Sequence, residues 1–284
     1  MYEQFDAAAV KAIWEAREEL APLLKDLDFE KISRYNKGYL HYKENPVAHF
    51  IDGEIVRFMK TADFIGASFP RSTSILDIGF FIPVIPLALS KLGFCVTALE
   101  KLSLYDGALD DIITHATQQY SITVLDFDLF EDEPDNLRAR FNVILLLAIL
   151  EHLNGTPRYL LEKVKSLLCP DGHVIVEVPN VSSLSKRVYL LLKGIPPCPS
   201  FDGFYHSDYP FTGHNREYTI QDVRNTLAWS GFEIVDVQAF HHSAVAPPSW
   251  KQRVLQALER WGPPSWRPNI WAVGKLKSCT KDLQ

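Results

Sequence analysis

The stretch 141–150, FNVILLLAIL, limits what this chain can fold into more than any other. Its apolar run is too short to span a bilayer. It also lacks the in-out alternation of a strand with one wet face. A short, continuous apolar run of this kind predicts a strand covered on both sides, as in a parallel sheet. HVIVEV at 173–178 repeats the pattern. Strands are predicted at 73–78, 94–99, 121–125, 141–147, 172–178, 232–240 and 269–276. Helices are predicted at 84–92, 104–119, 157–168, 181–193, 219–230 and 250–261. Strands alternating with helices give an α/β fold, a doubly wound and mostly parallel seven-stranded sheet. The last strand, NIWAVGKLK, is expected to run antiparallel.

Ahead of the sheet, residues 3–25 carry a loose helical stripe of Phe5, Val10, Ile13, Leu20 and Leu24. Asn45-Pro46 resembles a helix cap with a first-turn proline. Residues 1–69 are therefore expected to form an N-terminal helical cap, and 70–278 the sheet domain. Thr219 with Asp222 fits a capping box, with Asp replacing the usual Glu or Gln. Residues 194–218 form a long insert rich in proline, glycine, aromatics and histidine. Such a segment is usually a lid or binding loop.

With 284 residues and a net charge of -6, the chain is long enough for one large α/β domain, and its charge gives no reason to expect nucleic acid as a partner. Cys95, Cys169, Cys198 and Cys279 contain no C-x-x-C pair. They are expected to be reduced, mostly buried thiols of a cytoplasmic protein rather than a disulfide frame or a zinc site. No signal peptide is visible at the start. The segment 247–266 suggests an amphipathic helix able to touch a membrane, but packing on the sheet is the preferred reading.

LDIGFFIPVIP, 76–86, bears on chemistry. Asp77-Ile78-Gly79 opens as many nucleotide-type loops do. Phe80, Phe81 and Pro83 then stand where further glycines would be expected. A dinucleotide needs a pyrophosphate cradle of free N–H groups at a helix N-terminus. Pro83 has no N–H at all. The loop therefore counts against NAD, FAD and ATP.

ILDIG (75–79), VTALE (96–100), LDFDLF (125–130), FNVILLLAILEHL (141–153) and LCPDGHVIVEVPN (168–180) occur in an order that resembles class I S-adenosylmethionine-dependent methyltransferases. The likeness is greatest to the small-molecule and sugar O-methyltransferase branch that includes ubiquinone-biosynthesis-type enzymes. GHNREYT at 213–219 resembles the tail of bacterial members of that group. The resemblance implies a Rossmann-like fold and S-adenosyl-L-methionine as cofactor. This cofactor carries no phosphate and asks for one close backbone approach, which Gly79 can supply.

On that resemblance the cofactor-binding residues are Asp77, Gly79, Phe80, Glu100, Asp128, Leu129 and Leu147, all at or just after strand ends. Glu100 would accept from both ribose hydroxyls. Asp128 would accept from the adenine amino group, with Leu129 and Phe130 against the ring. Asp77 would position the loop or meet the amino-acid end. His152 and His214 are the candidate bases for an acceptor hydroxyl. No metal is expected, since Ala148 stands where a metal-using relative would have its first Glu; a set of Glu151, His152, His206 and His214 is the lesser reading. The implied reaction is methyl transfer to an oxygen, or to a nitrogen, of a small-molecule or sugar acceptor. The alternative is a methyltransferase-like binding or scaffold protein without catalysis, because Phe80 and Phe81 could fill the methionine slot.

Overall fold

The computed structural model describes residues 4–129, 135–199, 201–207, 211–241 and 249–277. Phe130, Tyr209, His242 and Cys279 lie outside the described residues. The chain falls into two compact units, one of residues 1–128 with 241–261 and one of 129–240 with 262–284.

The first unit opens with α1, Ala7–Lys25, α2, Phe29–Tyr35, and α3, Ile55–Ser68. The Asp6 side chain accepts from the Ala8 and Ala9 amides, so α1 starts later than the apolar stripe suggests. Asp28 caps α2 in the same way. Between α2 and α3 lie a 3-10 turn, Lys37–Tyr42, and a π turn, Ala48–Asp52, which the sequence does not signal. The strand β1, Ser74–Ile78, leads to α4, Val84–Lys91, which starts straight after Pro83. Then come β2, Cys95–Glu100, α5, Asp110–Tyr120, and β3, Thr123–Asp126. The pairs β1–β2 and β2–β3 are parallel, with Ile78 opposite Leu99 and Glu100 opposite Asp126. Helix α5 starts six residues later than predicted. Asp106 and Gly107 both have positive φ, and they break the chain after a 3-10 turn at Leu102–Tyr105.

The second unit holds β4, Phe141–Leu147, α6, Pro157–Leu167, β5, Leu168–Pro179, α7, Leu184–Lys193, α8, Phe201–Tyr205, α9, Ile220–Trp229, β6, Phe232–Phe240, and β7, Asn269–Leu276. β4 and β5 are parallel, while β7 runs antiparallel to both β5 and β6. The order of the seven strands is β3-β2-β1-β4-β5-β7-β6. This is the mostly parallel, Rossmann-like α/β sheet that the apolar runs predict. β5 starts at Leu168, not at Gly172, because Leu168 pairs with Phe141 and the register slips before Val143 meets His173. The capping box forms: Asp222 Oδ2 accepts from the Thr219 amide at 2.9 Å, and Thr219 Oγ1 accepts from the Asp222 amide at 3.1 Å.

Three expectations are corrected. The insert is not wholly irregular, since α8 sits inside it and Tyr218 forms a parallel bridge with Asn180. The cysteines are not mostly buried: Cys95 is exposed, and Cys169 and Cys198 are intermediate. The helix α10, Trp250–Trp261, in the first unit, does not bury an apolar face, since only Glu259 along it is buried while Trp250 and Trp261 are exposed. Among the described residues, no helix is long and apolar enough to cross a membrane.

Candidate functional site

Two groups of polar side chains are laid out by the strand ends, one in each compact unit. The first is built on β1 and β2. Gly79 follows β1 with φ +71, a backbone setting that side chains resist. Its amide donates to the Leu99 carbonyl at 2.8 Å, which pins the loop to β2. Glu100 closes β2 and is buried. Its Oε2 accepts from the Phe81 amide at 2.9 Å and its Oε1 from the Lys101 amide at 3.0 Å. Burial raises the Glu100 pKa, and those two amides oppose the rise. Each oxygen can still accept a second hydrogen bond.

Asp77 lies beside it, wholly buried. Desolvation first, then the neighbouring Glu100 charge, push its pKa to about 8, with Arg57 pulling the other way. A pKa raised this far keeps the Asp77 carboxyl largely protonated near neutral pH.

Phe81 also has positive φ, +43. Its ring stacks on Tyr39 at 5.2 Å and 9°, and meets Phe50 and Tyr105, each at 5.2 Å. The amide goes to Glu100 while the ring goes to these aromatics. Tyr39 and Phe50 come from a region with no recognisable motif, and the sequence does not signal this cluster. Phe80 is buried, as is Leu129, whose carbonyl accepts from Lys163 Nζ at 2.6 Å. Asp128 Oδ2 is held by Lys101 Nζ at 3.1 Å, a contact the expected adenine role did not include.

The second group belongs to β4, the turn after it and the end of the insert. Leu147 ends β4, and Ala148 follows with φ +57, its amide donating to the Glu177 carbonyl at 2.9 Å. Strained backbone of this kind gathers at functional sites. A 3-10 turn, Leu150–His152, then presents Glu151 buried and His152 exposed. The Glu151 carbonyl accepts from the Asn215 amide at 2.6 Å, and Asn215 Nδ2 donates to the His152 carbonyl at 3.2 Å. These bonds draw GHNREY against the turn.

The His152 and His214 rings meet edge to face at 4.8 Å. His152 Nδ1 faces the Thr212 carbonyl at 3.1 Å, so in the neutral ring Nδ1 carries the proton and Nε2 the lone pair. Local desolvation, with His214 adding to it, lowers the His152 pKa to about 4 although the residue keeps exposed surface. His214 Nδ1 faces Glu217 Oε1 at 3.3 Å, and Lys186 Nζ holds Glu217 Oε2 at 2.5 Å. These partners and a bond from Cys198 outweigh the desolvation of Glu217 and hold its pKa at about 2.

The sequence-predicted pair His152 and His214 is thus brought together. Tyr205 and His206 are exposed, their rings meet edge to face at 5.0 Å, and His206 lies 3.7 Å from Asp202. Lys186 is tied down by Glu217.

A methyltransferase domain family profile matches residues 48–237, well over half of the chain. The chain belongs to the methyltransferase domain family. It is an S-adenosylmethionine-dependent methyltransferase. No curated protein matches the methyltransferase by sequence. Among solved structures it is similar to the putative methyltransferase of Haloferax volcanii in complex with the Trm112 activator, at 14% identity and TM-score 0.56, covering 88% of this chain and 98% of that one. It is also similar to the Burkholderia thailandensis 1,6-didemethyltoxoflavin-N1-methyltransferase, crystallised with its substrate and S-adenosylhomocysteine, at 16% identity and TM-score 0.51, covering 92% and 90%. A third is a possible histamine N-methyltransferase from Thermotoga maritima, at 14% identity and TM-score 0.51, covering 88% and 100%. At these identities the likeness is one of fold.

The residues of the first unit fit the cofactor. The methyltransferase presents a buried carboxylate with spare acceptor sites and a glycine at the close approach.

Proposed function

We propose that this methyltransferase works in the cytoplasm and moves a methyl group to an oxygen of a small-molecule or sugar acceptor. In this reading it belongs to the O-methyltransferase branch that includes ubiquinone-biosynthesis-type enzymes. The observation that carries the cofactor half is Glu100, a buried carboxylate at a strand end, held in place by two backbone amides.

In this reading Glu100 accepts from the two ribose hydroxyls through its remaining lone pairs. Gly79 allows the backbone to come close, and Phe80 and Leu147 line the cofactor. Asp77 positions the loop or meets the amino-acid end. Asp128, which Lys101 also holds, accepts from the adenine amino group, and Leu129 lies against the ring. The sulfonium supplies a methyl carbon with a leaving group already in place, so the protein chiefly has to align the acceptor and exclude water.

His152 and His214 serve the acceptor side. Each turns Nδ1 toward a fixed partner. Each therefore leaves Nε2 to take a hydroxyl proton as the oxygen attacks.

The test is transfer from methyl-labelled S-adenosylmethionine to a panel of phenols, sugars and amines of matched size. Label in the hydroxyl compounds, reduced at least tenfold in His152→Ala, is expected. Label found in amines alone would overturn the oxygen assignment.

A further inference from the structure

Three side chains in the second unit form a donor set that methyl transfer does not require. Cys198 lies early in the insert, while His214 and Glu217 lie at its far end. One ligand atom from each lies within 4.8 Å of the others. The set mixes a soft sulfur, a borderline imidazole nitrogen and a hard carboxylate oxygen. That mixture, with three protein ligands, suits a tetrahedral zinc-class ion and leaves a fourth position open.

The surroundings fit a metal ligand. The Glu217 side chain is only 4% exposed, and its two oxygens are divided between partners. Oε1 faces His214 at 3.3 Å, while Oε2 is held by Lys186 at 2.5 Å. Metal-ligating carboxylates are commonly oriented this way, with one oxygen toward the ion and a hydrogen-bond donor on the other. Cys198 is bonded to the same carboxylate. An ion in the middle would replace the protons these three groups now share.

We propose that Cys198 Sγ, His214 Nδ1 and Glu217 Oε1 bind one zinc-class divalent cation, with Lys186 as the residue that orients Glu217. Binding releases the Cys198 thiol proton to solvent, and the single proton of the neutral His214 ring moves from Nδ1 to Nε2. The ion joins the two ends of the insert. With Nδ1 given to the metal, His214 keeps a proton on Nε2, and the role of base falls to His152 alone. The expectation of no metal rests on Ala148, where a metal-using relative would have its first Glu, and it does not bear on a set made of residues 198, 214 and 217.

The proposal stands apart from the cofactor reading, because the probe is the metal alone. The full chain, stripped with a chelator, is titrated with Co²⁺ and then with Zn²⁺. One equivalent of Co²⁺ should bind, with a thiolate-to-cobalt charge-transfer band that Zn²⁺ removes. Cys198→Ser should lose the band. His214→Ala should weaken binding at least tenfold. To separate loss of the ligand from loss of folding, the variant Cys95→Ser, Cys169→Ser, Cys279→Ser leaves Cys198 as the sole thiol and should keep the band. Failure to bind Co²⁺ at stoichiometric levels, a band that survives Cys198→Ser, or its loss in the triple variant would overturn the site.

Discussion

Gly79 and Asp77 show how much one residue decides here. Any side chain at Gly79 would sit at φ +71. Gly79→Ala should therefore cost about 1–2 kcal/mol of stability, read by denaturant unfolding, because left-handed backbone carries that penalty for residues with a Cβ. A cost near zero would mean that the loop relaxes freely. Asp77 has a folded pKa of about 8 against an ordinary 3.8. Between those values the folded state binds the extra proton. The contribution of Asp77 to stability is therefore complete below the lower value and is lost as pH rises toward the upper one. The loss amounts to at most about 1.4 kcal/mol per pH unit inside the window. Asp77→Asn should remove that slope, so the variant gains on the parent between pH 5 and pH 8. Parallel stability profiles for the two proteins would contradict the buried-acid account.

At the scale of elements, the sequence was most readable where burial forces a pattern. β4, as FNVILLL, could be read because a strand covered on both faces has to be apolar throughout. α9 could be read from its capping box. Thr219→Ala should lower stability by about 1 kcal/mol, and a thermal melt that does not move would show the box to be idle. Other elements were hidden for physical reasons. The start of α5 is set by two positive-φ residues, which no periodicity displays. α10 is expected to pack on the sheet because the final antiparallel strand follows it, yet its tryptophans are exposed. The same mixed fortune holds at the site. Glu100 was legible because it ends an apolar strand, and His152 because it follows one. The Phe81–Tyr39 stack and the Cys198–Glu217 contact were not, because each joins distant parts of the chain that no local pattern relates.

Over the whole molecule, the unit carrying β1–β3 holds most of the residues assigned to the cofactor, while the unit carrying β4–β7 holds Leu129 and Leu147 together with the histidines and the proposed metal ligands. Each can be tested without the other. The net charge of -6 makes the chain as a whole repel an anionic acceptor at long range, so recognition of one has to come from local groups. The most direct test of the central claim is isothermal titration of S-adenosylhomocysteine into the parent protein and into Glu100→Gln. One site in the parent, weakened about tenfold or more in the variant, is the expected result, since a lost charge-assisted hydrogen bond costs about 1.5–3 kcal/mol. Equal affinity in the two proteins, or no heat in the parent, would contradict the assignment of the buried carboxylate at the end of β2 to the cofactor.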